Sequence, residues 1–367
     1  VHWSLGNAHF IYDLKRAKFV EDSLKAAKKI EDKKLLDSLA KAKTDTVKVK
    51  LDSLAKKLAD SLKIREDSIT KKRKEDAVYK PDEQSIKIYY ERDLPKASVL
   101  LKNARIITMK GEEILEAGDI LVVNNRIKLV GKTGSLQVPP GTKEIDCSGK
   151  TIVPGFVDTH SHMWPNWGMH KNQIWIYAIN LAYGVTTTMD PQTATTDVLT
   201  YGDMVESGGM VGPRIYSTGP GVGFWSYNVK DSAQADNILK QYSKYYHTKY
   251  IKMYLTGNRQ QRQWIIMAAK NQGLHPTTEG GLNFKLNMTN LLDGYPGHEH
   301  AIPIYPLYSD VIKTIAASKM SVTPTLLVSY GGPFAENYFW ETETAYDDKK
   351  MPYFMPYEEL AGKTRRV

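Results

Sequence analysis

At 367 residues, with 41% hydrophobic and 25% charged residues, the chain has ordinary globular composition and room for roughly two to three domains. Its one cysteine, Cys147, excludes an internal disulfide framework and a cysteine-rich zinc module. The net charge of +9 is no sign of nucleic-acid binding, because residues 14–78 hold 20 Lys/Arg against 12 Asp/Glu, a difference of +8, and the rest is near neutral.

Residues 1–13 lack the basic start and apolar centre of a signal peptide. They are expected to be the end of a preceding β-rich unit in a longer chain. Residues 14–78 contain no Gly, Pro, Tyr or Trp, and LDSLAK occurs at 36–41 and again at 51–56. Leu51, Leu54, Leu58 and Leu62 form a narrow stripe at helical spacing. The stretch 14–92 therefore reads as a charged helical insertion with its linker. It is either a plain solvated insertion or an arm for docking and self-association, the latter implying a homo-oligomer or a helical contact.

From Ala97 the composition changes. The runs 99–109, 114–123 and 126–130 are rich in β-branched residues and are separated by Gly111, Gly118, Asn124, Asn125 and Gly131. They predict a small β-sandwich over 93–150. Beyond Ile152 strand and helix patterns alternate, with apolar strands predicted at 151–157, 185–189, 214–218, 250–255, 274–278, 297–300 and 322–327. That alternation predicts an α/β fold, a TIM-type (β/α)8 barrel over 151–367 whose eighth strand is missing. No run of 18 apolar residues is present, so no transmembrane helix is predicted.

The chemistry-bearing residues fall at strand ends. In Asp-Thr-His-Ser-His at 158–162, His160 and His162 are two apart, so a strand points both to one side, where they can share a metal ion. Imidazole nitrogen suits zinc and related ions. A second pair, His298 and His300, follows another predicted strand. The plain reading of either pair is two solvent-exposed loop histidines. Lys252 stands among apolar neighbours in Ile-Lys-Met-Tyr at 251–254. A buried lysine is costly as a cation, and its neutral amine reacts with carbon dioxide to a carbamate that can bridge metal ions. Equally, Lys252 can snorkel to solvent from the strand end. Trp164, Trp167, Trp175, Phe224, Trp225 and Tyr227 lie in loops expected to shape a pocket, or merely to pack those loops.

The segment Gly-Lys-Thr-Ile-Val-Pro-Gly-Phe-Val-Asp-Thr-His-Ser-His at 149–162 resembles the signature of the amidohydrolase superfamily. The resemblance is strongest to its imidazolonepropionase/prolidase-like branch and runs over about residues 95–330. It implies a carboxylated lysine at Lys252, a further ligand at His300 in Gly-Tyr-Pro-Gly-His-Glu-His (294–300), and a seventh strand at Val-Thr-Pro-Thr-Leu (322–326). Residues 1–13 resemble the last blade of a Tol-type β-propeller, which precedes such domains in some bacterial proteins and implies a periplasmic or secreted location.

Two departures from the family pattern stand out. Its strand-five histidine is replaced by Glu279, which either binds the metal or leaves that place to His275. Its strand-eight aspartate has no counterpart, since Asp310 comes only ten residues after His300. The family mechanism implies one or two divalent ions, zinc or else manganese, that make hydroxide available at neutral pH. The expected ligands are His160, His162, Lys252, Glu279 and His300, with His298 and Tyr254 holding substrate or a developing oxyanion. The expected reaction is hydrolysis of a carbon–nitrogen bond in a small amide, cyclic amide or dipeptide. The rival expectation is an inactive barrel that serves in binding or assembly.

Overall fold

The computed structural model describes residues 1–42, 79–165, 168–223, 229–254, 257–325 and 335–364. They divide into two compact units, Val1–Ile88 and Tyr89–Val367.

In the first unit, β1 (His2–Leu5) and β2 (Ala8–Ile11) form an antiparallel hairpin. Gly6 takes a φ of 57° at its tight turn, a value that glycine adopts without cost. Trp3 stacks on Phe10, with ring centroids 5.2 Å apart. Then comes the helix Leu14–Ala42, whose start is capped by Asp13, its Oδ1 accepting from the Lys15 and Arg16 amides. Leu14, Phe19 and Ile30 are exposed on it. The first LDSLAK copy lies in this helix, while the second copy and the leucine stripe fall outside the described residues. Residues 82–85, read from the sequence as linker, instead form β3 (Asp82–Ser85), antiparallel to β2. The helical stretch thus interrupts a three-stranded meander.

The second unit opens with one mixed sheet. Its strands are β4 (Ser98–Ile107), β5 (Ile114–Val123), β6 (Arg126–Lys132), β7 (Lys143–Asp146) and β8 (Thr151–Ile152). Their order is β6-β5-β4-β7, with β8 also on β4. Asn124 and Asn125, both at positive φ, make the turn between β5 and β6. One face buries Ala104, Ile106, Ile120 and Cys147. Ile127, Leu129, Val130 and Ile145 are exposed. Among the described residues of 93–150 these strands form one sheet.

Seven parallel strands follow among the described residues: β9 (Phe156–Asp158), β10 (Val185–Asp190), β11 (Arg214–Ser217), β12 (Tyr250–Met253), β13 (His275–Thr278), β14 (Gly297–Glu299) and β15 (Ser321–Thr323). Each lies within or overlaps a predicted strand, and each pairs in chain order with the next, except that β11 and β12 belong to different sheets. Val222 links those sheets: its amide donates to the Lys252 carbonyl at 2.8 Å, and its carbonyl accepts from the Tyr254 amide at 2.9 Å. Helices Trp175–Ala182, Asp197–Ser207, Ser232–Lys240, Arg259–Asn271, Phe284–Asp293 and Ser309–Ser318 separate successive strands. Three start on clear caps, Asp231, Asn258 and Asn283, and Asn258 completes a capping box with Gln261. The main core packs Ile251 and Met253 of β12 against Leu239, Ile265 and Ala269 of the helices. No helix of the described residues is long and apolar enough to cross a membrane.

Gly155 leads into β9 beneath the Thr186 side chain, and a Cβ there would lie 2.2 Å from Thr186 Cγ2. Gly155→Ala is expected to destabilise the protein by about 1–3 kcal/mol through overpacking. An unchanged urea midpoint would contradict that contact.

Candidate metal centre

The candidate side chains come from the C-terminal ends of β9, β12, β13 and β14, the end where barrel enzymes build their sites. Asp158 Oδ1 accepts from the His160 amide at 3.0 Å, and the Ser161 amide donates to the Met189 carbonyl at 2.8 Å. The first is an Asx turn that bends the chain after β9, and the second ties the next residue to β10. As the two-residue spacing predicts, His160 Nε2 and His162 Nε2 then meet, 3.2 Å apart. The His300 ring centroid lies 4.8 Å from that of His160.

Lys252 on β12 is 1% exposed, and its Nζ stands 2.5 Å from Glu279 Oε2. That contact is an ion pair without good hydrogen-bond alignment. The other oxygen, Glu279 Oε1, lies 3.0 Å from His300 Nε2, and His300 Nδ1 bonds Thr325 Oγ1. Glu279 follows the end of β13, its amide donating to the Met253 carbonyl at 3.0 Å. His275 begins the same strand, beside the Tyr250 ring. The structure therefore brings Glu279, and not His275, to Lys252 and His300.

Electrostatics follow from this crowding. Burial, with help from the charges of His160 and Lys252, lowers the His162 pKa to about 4, so its imidazole is neutral near pH 7, the form that binds metals. Burial works against an ionised Glu279, but the His300 hydrogen bond and the Lys252 charge outweigh it and hold its pKa at about 2. Tyr254 is raised by burial and by the Glu279 charge, and its hydroxyl hydrogen-bonds Glu279.

His298 does not follow the simple alternation expected of it. His300 adopts a φ of 68°, in the left-handed region, so the two rings do not share one straight strand face. His298 is 2% exposed and packs under Gly280, where a Cβ would lie 2.7 Å from its Cε1. Neither of its ring nitrogens has hydrogen-bond geometry with a described partner, although the His300 backbone lies close enough to favour the charged form. Burial is the larger influence and lowers its pKa.

Two acidic residues enter the site that sequence reasoning missed. Glu299 Oε2 lies 2.7 Å from His160 Nδ1, with both side chains buried. Asp190, at the end of β10, accepts from the Met163 amide at 3.2 Å and stands 3.9 Å from His162 Nδ1. Burial pushes the Asp190 pKa up to about 7. Their sequence signal was a carboxylate at a strand end, the place where the other candidates were sought. Of the pocket-shaping aromatics, Trp164 is exposed with its ring 6.0 Å from that of His162. Trp175 instead starts a helix and packs with Met355 and Leu360. Trp167, Phe224, Trp225 and Tyr227 lie outside the described residues.

Two imidazole nitrogens bound to one tetrahedral zinc at about 2.0–2.1 Å would be about 3.3 Å apart. The 3.2 Å separation of His160 and His162 fits that spacing. Among the described residues no group of three or more His, Cys, Asp and Glu side chains is arranged to hold an ion. His300 and Glu279 are turned toward each other and toward Lys252, so the fit is that of a ligand pair with further donors adjacent.

No protein-family model matches the chain. Among curated proteins, it is 40% identical to the dihydroorotase of Listeria welshimeri over 75 residues, 20% of this chain and 16% of that protein. It is 40% identical to an adenine deaminase of Cereibacter sphaeroides over 67 residues, 18% of this chain and 11% of that protein. The chain thus matches less than a fifth of the length of these relatives. Among solved structures, a Xaa-Pro dipeptidase with bound methionine superposes with a TM-score of 0.52 at 16% identity, covering 74% of each chain. Molinate hydrolase gives 0.55 at 16% identity, covering 67% of this chain and 68% of its own. A prolidase complexed with N-methylphosphonate-L-proline gives 0.51 at 17% identity, covering 73% and 72%. At these identities the structural likeness is one of fold. With prolidase-type and amidohydrolase proteins as its structural neighbours, and a dihydroorotase and an adenine deaminase among its curated relatives, the chain's resemblance to the amidohydrolase superfamily holds in both fold and sequence.

Proposed function

We propose that residues 151–367 are an incomplete (β/α)8 barrel of a metal-dependent hydrolase that cleaves a carbon–nitrogen bond beside a carbonyl group. The observation that carries this reading is the 3.2 Å approach of His160 Nε2 to His162 Nε2, with Lys252, Glu279 and His300 beside it. Relatives that are amidohydrolases support the same class of bond. The substrate class is a small amide, cyclic amide or dipeptide.

A divalent ion in such a site, zinc or manganese, supplies a nucleophilic hydroxide at neutral pH and polarises a carbonyl. His160 and His162 would hold it through Nε2, with His300 and Glu279 next in line. Lys252 would join them as a carbamate: the ammonium first loses a proton, the neutral amine attacks carbon dioxide to form a nitrogen–carbon bond, a second proton leaves, and a cation becomes an anion. Until then Glu279 balances the ammonium charge. Tyr254, whose hydroxyl donates to Glu279, would donate to a substrate carbonyl by exchanging that bond. His298 offers two ring nitrogens to a substrate polar group that reaches past Gly280.

A second reading is an inactive barrel used in binding. The Lys252–Glu279–His300 cluster favours it, since those three side chains are already paired with one another by charge. Metal analysis of the purified protein, with assays on N-acyl amino acids, Xaa-Pro dipeptides and cyclic amides, separates the two. The hydrolase reading expects one or two equivalents of zinc or manganese and turnover of at least one class. Absence of both contradicts it and leaves the binding reading.

A further inference from the structure

We infer that Glu299 is a positioning residue that fixes the tautomer of His160, keeping the proton on Nδ1 and the lone pair on Nε2. The inference deepens the metal-site reading above and rests on it for its function, though not for its test.

The argument begins with the backbone. Strict alternation along β14 would send Glu299 away from any site that His298 and His300 share. The left-handed φ of 68° at His300 turns that residue out of the alternation, so His300 and Glu299 both stand beside His160. The Glu299 carboxylate meets His160, 139 residues earlier in the chain, at 2.7 Å. The His160 side chain is 5% exposed and that of Glu299 is 8% exposed, so water competes little for the bond.

The chemistry is restrictive. A neutral imidazole has one N–H and one lone pair, and an ionised carboxylate only accepts. The Glu299 carboxylate stands 2.7 Å from His160 Nδ1 and both side chains are buried, so it is the acceptor for that N–H. With Nδ1–H committed to Glu299, the His160 lone pair must be on Nε2. That nitrogen faces His162 Nε2 at 3.2 Å, so a proton or a cation belongs between them. Among the described residues His162 has no comparable anchor, because Asp190 Oδ1 is 3.9 Å from its Nδ1, beyond hydrogen-bond reach. Glu299 therefore prepares one firm ligand, and His162 adapts to it. Carboxylates that hold the far nitrogen of a metal-binding histidine typically contribute about 10- to 100-fold in metal affinity.

The test uses metal-free protein labelled with 15N-histidine in alkaline buffer, with the His160 ring signals assigned by their loss in His160→Gln. Two-bond nitrogen–proton correlations should show His160 with its proton on Nδ1, and Glu299→Leu, which removes the acceptor, should shift the population toward Nε2–H. Zinc affinity of Glu299→Leu, measured by chelator competition, should fall about 10- to 100-fold. A wild-type His160 protonated on Nε2, or on both nitrogens, would overturn the inference without need of any variant. An unchanged tautomer in Glu299→Leu would also overturn it. If the wild type took up no zinc while the tautomer shifted as described, the positioning role would stand and the hydrolase reading would fall.

Discussion

Replacing Lys252 by Met should destabilise the metal-free protein by about 3 kcal/mol, the lower end of the loss that accompanies removal of one member of a buried ion pair. Lys252 is 1% exposed and its nearest anionic partner among the described residues is Glu279, at 2.5 Å. Without the ammonium, the carboxylate is left in a half-closed site with His300 and Tyr254 as hydrogen-bonding neighbours. Adding Glu279→Gln should restore most of the loss, because replacing both members by neutral groups removes the desolvation cost as well. The pH dependence has a definite sign. The Glu279 pKa falls from 4.5 to about 2 in the folded protein, so the stability it contributes is complete above the unfolded value and is lost as pH falls through the folded one. The margin of wild type over Lys252→Met should therefore narrow between about pH 4.5 and pH 2. Urea titrations across that range measure it, and a cost below about 1 kcal/mol at pH 7 would show that the pair stabilises little.

His160→Ala and His162→Ala should each abolish stoichiometric metal uptake and lower kcat/KM by at least about 10³-fold. Loss of a supporting carboxylate alone costs about 10- to 100-fold, and loss of a ligand must cost more. The contrast is His275→Ala. His275 lies at the opposite end of β13 from Glu279, so this variant should keep its metal and its rate within a factor of about two. Circular dichroism controls for folding. A His162→Ala protein with full activity would remove the ligand pair from the mechanism.

Much of this site is legible in the amino-acid sequence. Strands β9, β10, β12 and β15 are short runs rich in apolar or β-branched residues, and period-two logic pairs His160 with His162. Lys252 announces itself as a charge inside an apolar strand, and Glu279 as the residue just past a strand end. The features that stay hidden have a physical cause in each case. Glu299 is masked because alternation assumes regular backbone, and His300 leaves that geometry. Asp190 reads as the polar stop of a strand, yet it is 2% exposed. β3 consists of Asp-Glu-Gln-Ser, which has no apolar pattern, and it exists because β2 offers it a partner. The apolar runs of 97–148 show where β4 to β8 lie, but not that Ile127 and Leu129 are left exposed on their sheet.

Anomalous X-ray diffraction at the zinc edge, from crystals of the protein equilibrated with zinc, tests the central claim most directly. The account predicts a peak about 2.0–2.1 Å from both His160 Nε2 and His162 Nε2. Zinc bound only elsewhere, with those two nitrogens still in direct contact, would contradict it.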